Sequence, residues 1–559
     1  MPGRNQSRVT AHGPQLVLGA GLAIWTALAV QHARRLWFFG DDFDFLLNRH
    51  LSFGGDHGLL VPHNEHWSTV PIILFRLNFA IFGLHHYLPY ALLPIVCHVL
   101  VCVFVFVLLR LAGVGPWVAS LTAIVGAFAA GGAGVENTLW DFQVGFLGSA
   151  LLGLASLTVL TTERWGAGGR VVAVALLVLS LMSSGMGIVM VIWVATFLLA
   201  REGLRSAVLT IALPALVYLA WFAAYGHGHS GAPPPQLSVA PIAAMRGIGG
   251  IWSAASGVPS AGPVILLVLV TAVVLGRHVD RLFALAGSGL VTLVVAYLLL
   301  GYSRSGLGID AAVRSRYMYF GVLLSLPALS CALGLAARAL HERPQRIAGV
   351  VWIMTAVVVV GVGAAQEARW TRERRGLVGD NQHQVAAAGA LVASGAPLLR
   401  SMPMPEHNPD VNAGALARGS VQRALPNVRP GRLPKLDAAA HLQVDVGSAA
   451  RSFAPPTTVL WRGFEQQKRS SDQLIAGTCS TRRAGAHGVL EIPLSGAAME
   501  VEVTVSGTGV TTRLESKDLR SHAVRWQTQT GVPVNVASTA GDATLRIGVP
   551  AGDVTVCEH

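Results

Sequence analysis

Through residues 1–365, apolar runs of membrane-crossing length alternate with short polar turns. A helix needs about 20 apolar residues to cross a bilayer core, fewer where flanking side chains reach the interface. The pattern predicts spans near Leu16 to Trp37, Pro89 to Leu109, Trp117 to Ala130, Val144 to Leu160, Val171 to Met182, Gly187 to Ala200, Ala207 to Tyr225, Val264 to Leu275, Leu282 to Leu300, Tyr317 to Ala337 and Ile347 to Ala365, eleven in all. The stretch 171–200, broken at Ser183 to Gly187, could equally be one long tilted helix. Arginine placement favours two. With the N-terminus inside, the cytoplasmic turns carry Arg110, then Arg164 and Arg170, Arg201 and Arg205, Arg277 and Arg281, and Arg338, Arg343 and Arg346. Every second loop is then basic, as short cytoplasmic loops tend to be.

This topology puts the loop 38–88 and everything after Ala365 outside the cytoplasm. The first apolar run follows Arg4 and Arg8 and ends without a small-residue cleavage site, so it reads as an uncleaved span. Val70 to Tyr90 carries apolar residues at helical spacing, interrupted by Arg76 and Asn78. A charge is costly in hydrocarbon, so this segment is expected to lie along the outer membrane surface. Gly226 to Pro263, with His227, His229 and the run Pro233 to Pro235, has the composition of a flexible loop.

After Ala365 the pattern changes. Gln366 to Leu399 reads as helical, and Ser401 to Leu436 as a Pro- and Arg-rich connection. From about Pro455 short runs alternate with period two, as in Met499, Val501, Val503 and Val505 against Glu500, Glu502 and Thr504. Half-buried strands give that period. The expected architecture is a polytopic helical membrane domain over 1–365, a connector over 366–454 and an extracytoplasmic β-sandwich over 455–559.

Composition agrees with the pattern. With 52% hydrophobic and 13% charged residues, the chain is too apolar for an ordinary soluble protein. The net charge of +12 resides largely in arginines at span ends, which accounts for it by topology and argues against nucleic acid as a partner. Arg far outnumbers Lys, and Ala, Gly and Val dominate, a usage typical of GC-rich bacterial genomes. Cys97, Cys102 and Cys331 fall in apolar spans, where Cys is a small hydrophobe. Cys479 and Cys557 lie in the outward C-terminal region and form a candidate disulfide.

The candidate chemistry is concentrated in Phe38 to Trp67, which packs four aspartates, one glutamate and four histidines into the first outward loop. Asp41 or Asp42 could accept the proton of an attacking hydroxyl as general base. His63, Glu65 and His66 could bind a sugar or phosphate by hydrogen bonds. Asp42, Glu65 and His66 also offer donors for a divalent metal such as Mg or Mn, although the spacing matches no strong metal motif. A second outward loop, AGVENTLWDFQ, adds Glu136, Trp140 and Gln143 as substrate contacts. In the loop 301–319, Arg304, Arg314 and Arg316 break the positive-inside trend. Guanidinium groups bind phosphate in bidentate fashion, so Arg314, Arg316 and Tyr317 are candidates for holding a lipid-linked phosphate, with headgroup snorkelling the competing account.

GDDF at Gly40 to Phe43, HNEHW followed by FGLHHYLPYALLPIVCHVL, ENTLWDFQ before the fourth span and RSRYMY at the tenth together resemble the GT-C superfamily of integral membrane glycosyltransferases. The resemblance covers the organisation of residues 1–365. It implies transfer of a sugar from a polyprenyl-phosphate donor, with inversion, to a cell-envelope glycan, lipid or protein at the outer face of the cytoplasmic membrane. The family's catalytic aspartate falls on Asp41 or Asp42, and metal dependence stays open. In composition and C-terminal region the chain looks similar to actinobacterial arabinosyl- and mannosyltransferases. The competing readings are a lipid or glycan transporter and a noncatalytic glycan-binding envelope scaffold. Transporters commonly carry ionisable sites near the membrane midplane, whereas here the charges gather at one face.

Overall fold

The computed structural model describes residues 3–162, 166–226, 233–276, 280–341, 345–395, 398, 400–401, 408, 410–446, 459–464, 467–472, 479–494, 499–505, 510–516, 519–526, 532–536 and 543–557. The chain has a helical body and a C-terminal antiparallel β-sheet domain. It divides into two compact units, one of residues 1–36, 49–78 and 87–375, the other of residues 37–48, 79–86 and 376–559.

The helices are α1 (Gly3–Ala33), α2 (Thr69–Phe82), α3 (Leu88–Leu111), α4 (Pro116–Ala133), α5 (Val135–Leu139), α6 (Val144–Thr161), α7 (Gly166–Leu181), α8 (Met186–Glu202), α9 (Leu204–Tyr225), α10 (Ala240–Ser256), α11 (Ala261–Leu275), α12 (Asp280–Arg304), α13 (Ser315–His341), α14 (Gln345–Ala393), α15 (Ala413–Ala417), α16 (Gly419–Ala424) and α17 (Arg432–Leu442). Each of the eleven segments expected to span falls on a helix, and α7 and α8 are separate around Ser183 to Gly185. Among the described residues seven helices, α1, α3, α4, α6, α9, α12 and α13, are long and apolar enough to cross a membrane, and α10 with α11 makes an eighth if that bent pair is one span. Helix α2 is apolar but shorter.

Apolar side chains face outward as well as inward on these helices. On α9, Leu209, Leu213, Leu216 and Leu219 are all more than half exposed (55–63%), a stripe that water would penalise and lipid would not. The inward faces of the first unit share one core, in which Trp193, Phe197, Leu285, Leu293, Phe320 and Leu324 are almost fully buried. One carboxyl is buried beside it: Glu367 of α14 accepts the indole N–H of Trp25 at 2.8 Å. The Trp25 ring tilts against His98, whose Nδ1 is 2.8 Å from the Tyr319 hydroxyl.

The expected flexible loop 226–263 is corrected by the structure. It contains the 17-residue helix α10, whose axis meets that of α11 at 96°. The break has a local cause: Gly257 ends α10 in the left-handed conformation (φ 69°), and Ser260, also left-handed (φ 63°), begins α11. Glycines inside α10 lowered its sequence signal, yet Ala243, Gly247, Ile251 and Ala255 recur at four-residue spacing as a buried face. His227 and His229 lie outside the described residues.

In the second unit the strands are β1 (Val444–Val446), β2 (Val459–Phe464), β3 (Gln467–Asp472), β4 (Cys479–Leu494), β5 (Met499–Val505), β6 (Val510–Ser516), β7 (Leu519–Arg520), β8 (Val524–Trp526), β9 (Val532–Val536), β10 (Ala543–Val549) and β11 (Gly552–Cys557). They form one antiparallel sheet in the order β1-β9-β5-β11-β4-β10-β6-β7, with β2 on β4, β3 on β2 and β8 on β6. The long strand β4 organises it, pairing β10 along 488–494 and β11 along 479–484. Period two is visible directly: Ala543, Leu545, Ile547 and Val549 are buried, and the residues between them are half-buried. These side chains share one core with Trp461, Leu490, Leu514, Val534 and Val554 from five other strands. On the other face Glu491 pairs with Arg462 (2.8 Å) and Arg546, and Glu515 pairs with Arg546 (2.9 Å) and Arg520 (3.0 Å). The register sets Cys479 directly opposite Cys557. The side chain of Cys557 lies outside the described residues, so the expected disulfide is carried as a prediction.

Candidate functional site

In the first unit the histidine segment is a tight hairpin. His63 and His66 exchange both backbone hydrogen bonds (3.0 and 2.9 Å), and Asn64 between them takes the left-handed conformation (φ 51°) that asparagine tolerates. Arg49 holds the strand leading in, donating to the carbonyls of Val61 and Pro62 at 2.8 Å each. On the far side Trp67 stacks on Trp221 of α9 (5.0 Å, 3°), and the Trp221 indole donates to the Leu60 carbonyl. The hairpin sets Glu65 in an ion pair with Arg304 at the end of α12. His66 Nδ1 accepts the Gly185 N–H at 3.3 Å, and its Nε2 is 3.6 Å from Glu65. With Nδ1 as acceptor, the ring proton sits on Nε2 and faces the carboxylate.

The segment AGVENTLWDFQ folds as α5 and a 3₁₀ turn at Asp141–Gln143. It is joined to the start of α13 by three bonds. Ser315 donates to the Ala133 carbonyl (2.9 Å) and accepts the Glu136 N–H (3.3 Å), and the Asn137 amide donates to the Arg316 carbonyl (2.8 Å). Glu136 then pairs with Arg316 at 3.4 Å. The Arg316 guanidinium also lies over the rings of Trp140 (5.9 Å) and Tyr317 (6.0 Å), within cation–π range.

These contacts close into a circuit. His63 meets Phe142 (5.0 Å), Phe142 meets Trp140 (5.4 Å), and Trp140 meets Arg316. From Arg316 the path runs to Tyr317, then Phe146 (6.5 Å), then His66 (5.7 Å), and returns to His63 through the hairpin. Gln143, between Phe142 and Phe146 in the chain, is almost fully buried, and its amide oxygen and nitrogen have no hydrogen-bond partner among the described residues. A buried polar group is normally paired.

The structure separates the sequence-selected arginines. Arg316 is committed to Glu136, and Arg304 to Glu65. Arg314 is exposed and makes no ion pair among the described residues. Tyr317 is nearly buried, and its carbonyl accepts the Tyr297 hydroxyl at 3.0 Å. Arg304 carried a sequence signal as one of three arginines in the loop 301–319, but the partner roles of Gly185, Phe142 and Phe146 had none.

The acidic segment belongs to the second unit. Gly40 adopts a left-handed conformation (φ 59°), where a Cβ would be strained, and reverses the chain after Phe39. Asp42 is fully buried, and its carboxylate accepts the Phe39 N–H at 2.9 Å, closing the turn. Asp41 is half-exposed, and Asp44 begins a single π-helical turn at Asp44–Asn48. The two adjacent aspartates therefore differ: the Asp42 carboxylate is built into the turn, and Asp41 is the partly exposed residue.

Among the described residues no three His, Cys, Asp or Glu side chains gather as a metal-ligand set. Glu65, offered by the sequence as a metal donor, already faces the Arg304 guanidinium. No known protein family, no curated protein and no solved structure matches this chain.

Proposed function

We propose that the protein is a membrane glycosyltransferase of the GT-C kind. In this reading it moves a sugar from a polyprenyl-phosphate donor to a cell-envelope glycan, lipid or protein acceptor on the outer face of the cytoplasmic membrane. The observation that carries the reading is the circuit of His63, Phe142, Trp140, Arg316, Tyr317, Phe146 and His66, with the buried Gln143 amide, which has no hydrogen-bond partner among the described residues, next to Phe142 in the chain. Flat rings suit the C–H faces of a sugar, and the carboxylates of Glu65 and Glu136 and the buried Gln143 amide suit its hydroxyls. Arg314 at the same helix start is exposed and makes no ion pair among the described residues, which suits it to take the donor phosphate.

Asp41 is the general base of this proposal, because it is the partly exposed residue of the pair, while the Asp42 carboxylate is bound into the turn. It takes the proton of the acceptor hydroxyl as that oxygen bonds to the anomeric carbon. The bond from that carbon to the phosphate oxygen breaks, its electron pair leaves with the polyprenyl phosphate, and the configuration inverts. Asp42 shapes the turn. A finer architecture goes with the proposal: eleven spans, an inside N-terminus and a two-layered β-sandwich outside. The decisive assay gives the detergent-purified protein a panel of polyprenyl-phosphate sugars and follows the lipid pool by mass spectrometry. Consumption of one donor that stops in Asp41→Asn is expected; undiminished transfer by the Asp41→Asn, Asp42→Asn double variant refutes the assignment.

One observation favours a second reading. The α10–α11 pair, bent by 96°, is the kind of interrupted helix that forms substrate sites in transporters. A lipid or glycan transporter would move a labelled polyprenyl-phosphate sugar across proteoliposomes without cleaving it. Intact label on the far leaflet, with no free polyprenyl phosphate formed, would replace the transferase reading.

A further inference from the structure

The acidic turn is held by two asparagines that lie far from it in sequence. Asn408, 368 positions after Gly40, accepts the Gly40 N–H on its Oδ1 at 3.0 Å. The Asn408 Nδ2 donates to Asn381 Oδ1 at 3.2 Å, and the Asn381 Nδ2 faces the Phe38 carbonyl and Asn408 Oδ1 at 3.5 Å each. Both asparagines are essentially fully buried. The other end of the segment is tied to the same region: Asn48 donates to the Asp410 carbonyl (3.0 Å), Asn412 donates to Asn48 (3.3 Å), and the Arg418 guanidinium donates to the Leu47 carbonyl. Asn412 in turn caps α15 by accepting the Ala415 N–H at 2.7 Å.

A mere Pro- and Arg-rich spacer has no use for a buried amide bonded both to Asn381 of α14 and to a distant turn. Each buried amide is costly unless its donors and acceptors are met, so the pair admits one arrangement. That arrangement fixes Gly40, and the left-handed backbone at Gly40 sets the direction in which Asp41 leaves the turn. We propose that Asn408, backed by Asn381, is a positioning residue for the Asp41 carboxylate, and that Asn381, Asn408, Asp410, Asn412 and Arg418 together hold the acidic turn. The positioning role rests on the reading of Asp41 as the base; the anchoring of the turn does not.

The test uses the full-length detergent-solubilised protein, with amide hydrogen exchange as one readout and turnover of polyprenyl-phosphate mannose and polyprenyl-phosphate arabinose as the other. Asn408→Ala is expected to speed exchange across residues 39–48 by about tenfold, as the loss of a buried hydrogen bond implies. It should lower kcat by about tenfold while the donor KM stays within about twofold, because the base and not the donor contacts is displaced. Asn408→Asp keeps an oxygen for the Gly40 N–H and should recover most of both losses; a generally loosened fold would not be rescued this way. Should Asn408→Ala fail to fold, Asn48→Ala at the half-buried end of the clamp is expected to give the same exchange pattern. Unchanged exchange across 39–48 overturns the anchoring, and faster exchange with unchanged kcat overturns the positioning role. Faster exchange in Asn408→Ala, together with full turnover by the Asp41→Asn, Asp42→Asn variant, would keep the anchoring and discard the base.

Discussion

Replacing Gln143 separates stability from function. Its side chain is 1% exposed, and neither amide atom has a partner among the described residues. Leaving a buried polar group unsatisfied costs about 1–3 kcal/mol, and an apolar side chain of similar shape removes that cost. Gln143→Met, nearly equal in volume, is therefore expected to stabilise the free protein by about 1–3 kcal/mol. One kcal/mol moves the melting temperature by about 2–4 °C in a domain of 150–250 residues and by less in a longer chain, so a rise of about 1–5 °C is expected. If the amide is kept for a sugar hydroxyl, the same substitution should lower kcat/KM by about 10- to 100-fold, the equivalent of one or two lost hydrogen bonds. Thermal melting in detergent and donor turnover by mass spectrometry read the two effects on one sample. A melting temperature lowered by Gln143→Met would show that the amide is satisfied in the free protein. A raised melting temperature with unchanged turnover would show that the amide does not serve the substrate.

Further outcomes follow from the same geometry. Gly40→Ala forces a Cβ into the left-handed region at φ 59° and should destabilise by about 1–2 kcal/mol, read by melting, with turnover lost as the acidic turn shifts. Glu491→Ala leaves the part-exposed Arg462 without its counter-charge and Arg546 with Glu515 alone, which is expected to cost about 1–3 kcal/mol and to be read as early loss of the β-domain's protection from proteolysis. Peptide mapping without reductant should recover Cys479 linked to Cys557, and Cys479→Ala should lower stability by about 2–4 kcal/mol; two free thiols would refute the pairing. Arg314→Gln is expected to raise the donor KM, whereas Arg316→Gln should also lower the melting temperature because it strands Glu136.

What the sequence determined is what local pattern can encode. Apolar runs of bilayer length placed a helix at every one of the eleven expected segments, and period two located strands such as β10, because both signals depend only on neighbours in the chain. Charge and aromatic clusters likewise marked His63, Glu65, His66, Glu136, Trp140, Gln143, Arg314 and Arg316 without a partner for any of them. Helix α10 escaped because its glycines mimic a loop until the packing face is known. Only the tertiary structure decided the rest. It gave Arg304 to Glu65 and Arg316 to Glu136, left Arg314 without an ion pair among the described residues, and distinguished the buried Asp42 from the partly exposed Asp41, which adjacent identical letters could not. It also brought Asn381 and Asn408 to Gly40. A hydrogen bond between residues 368 positions apart leaves no periodic trace, because chain closure and packing, not local propensity, select it.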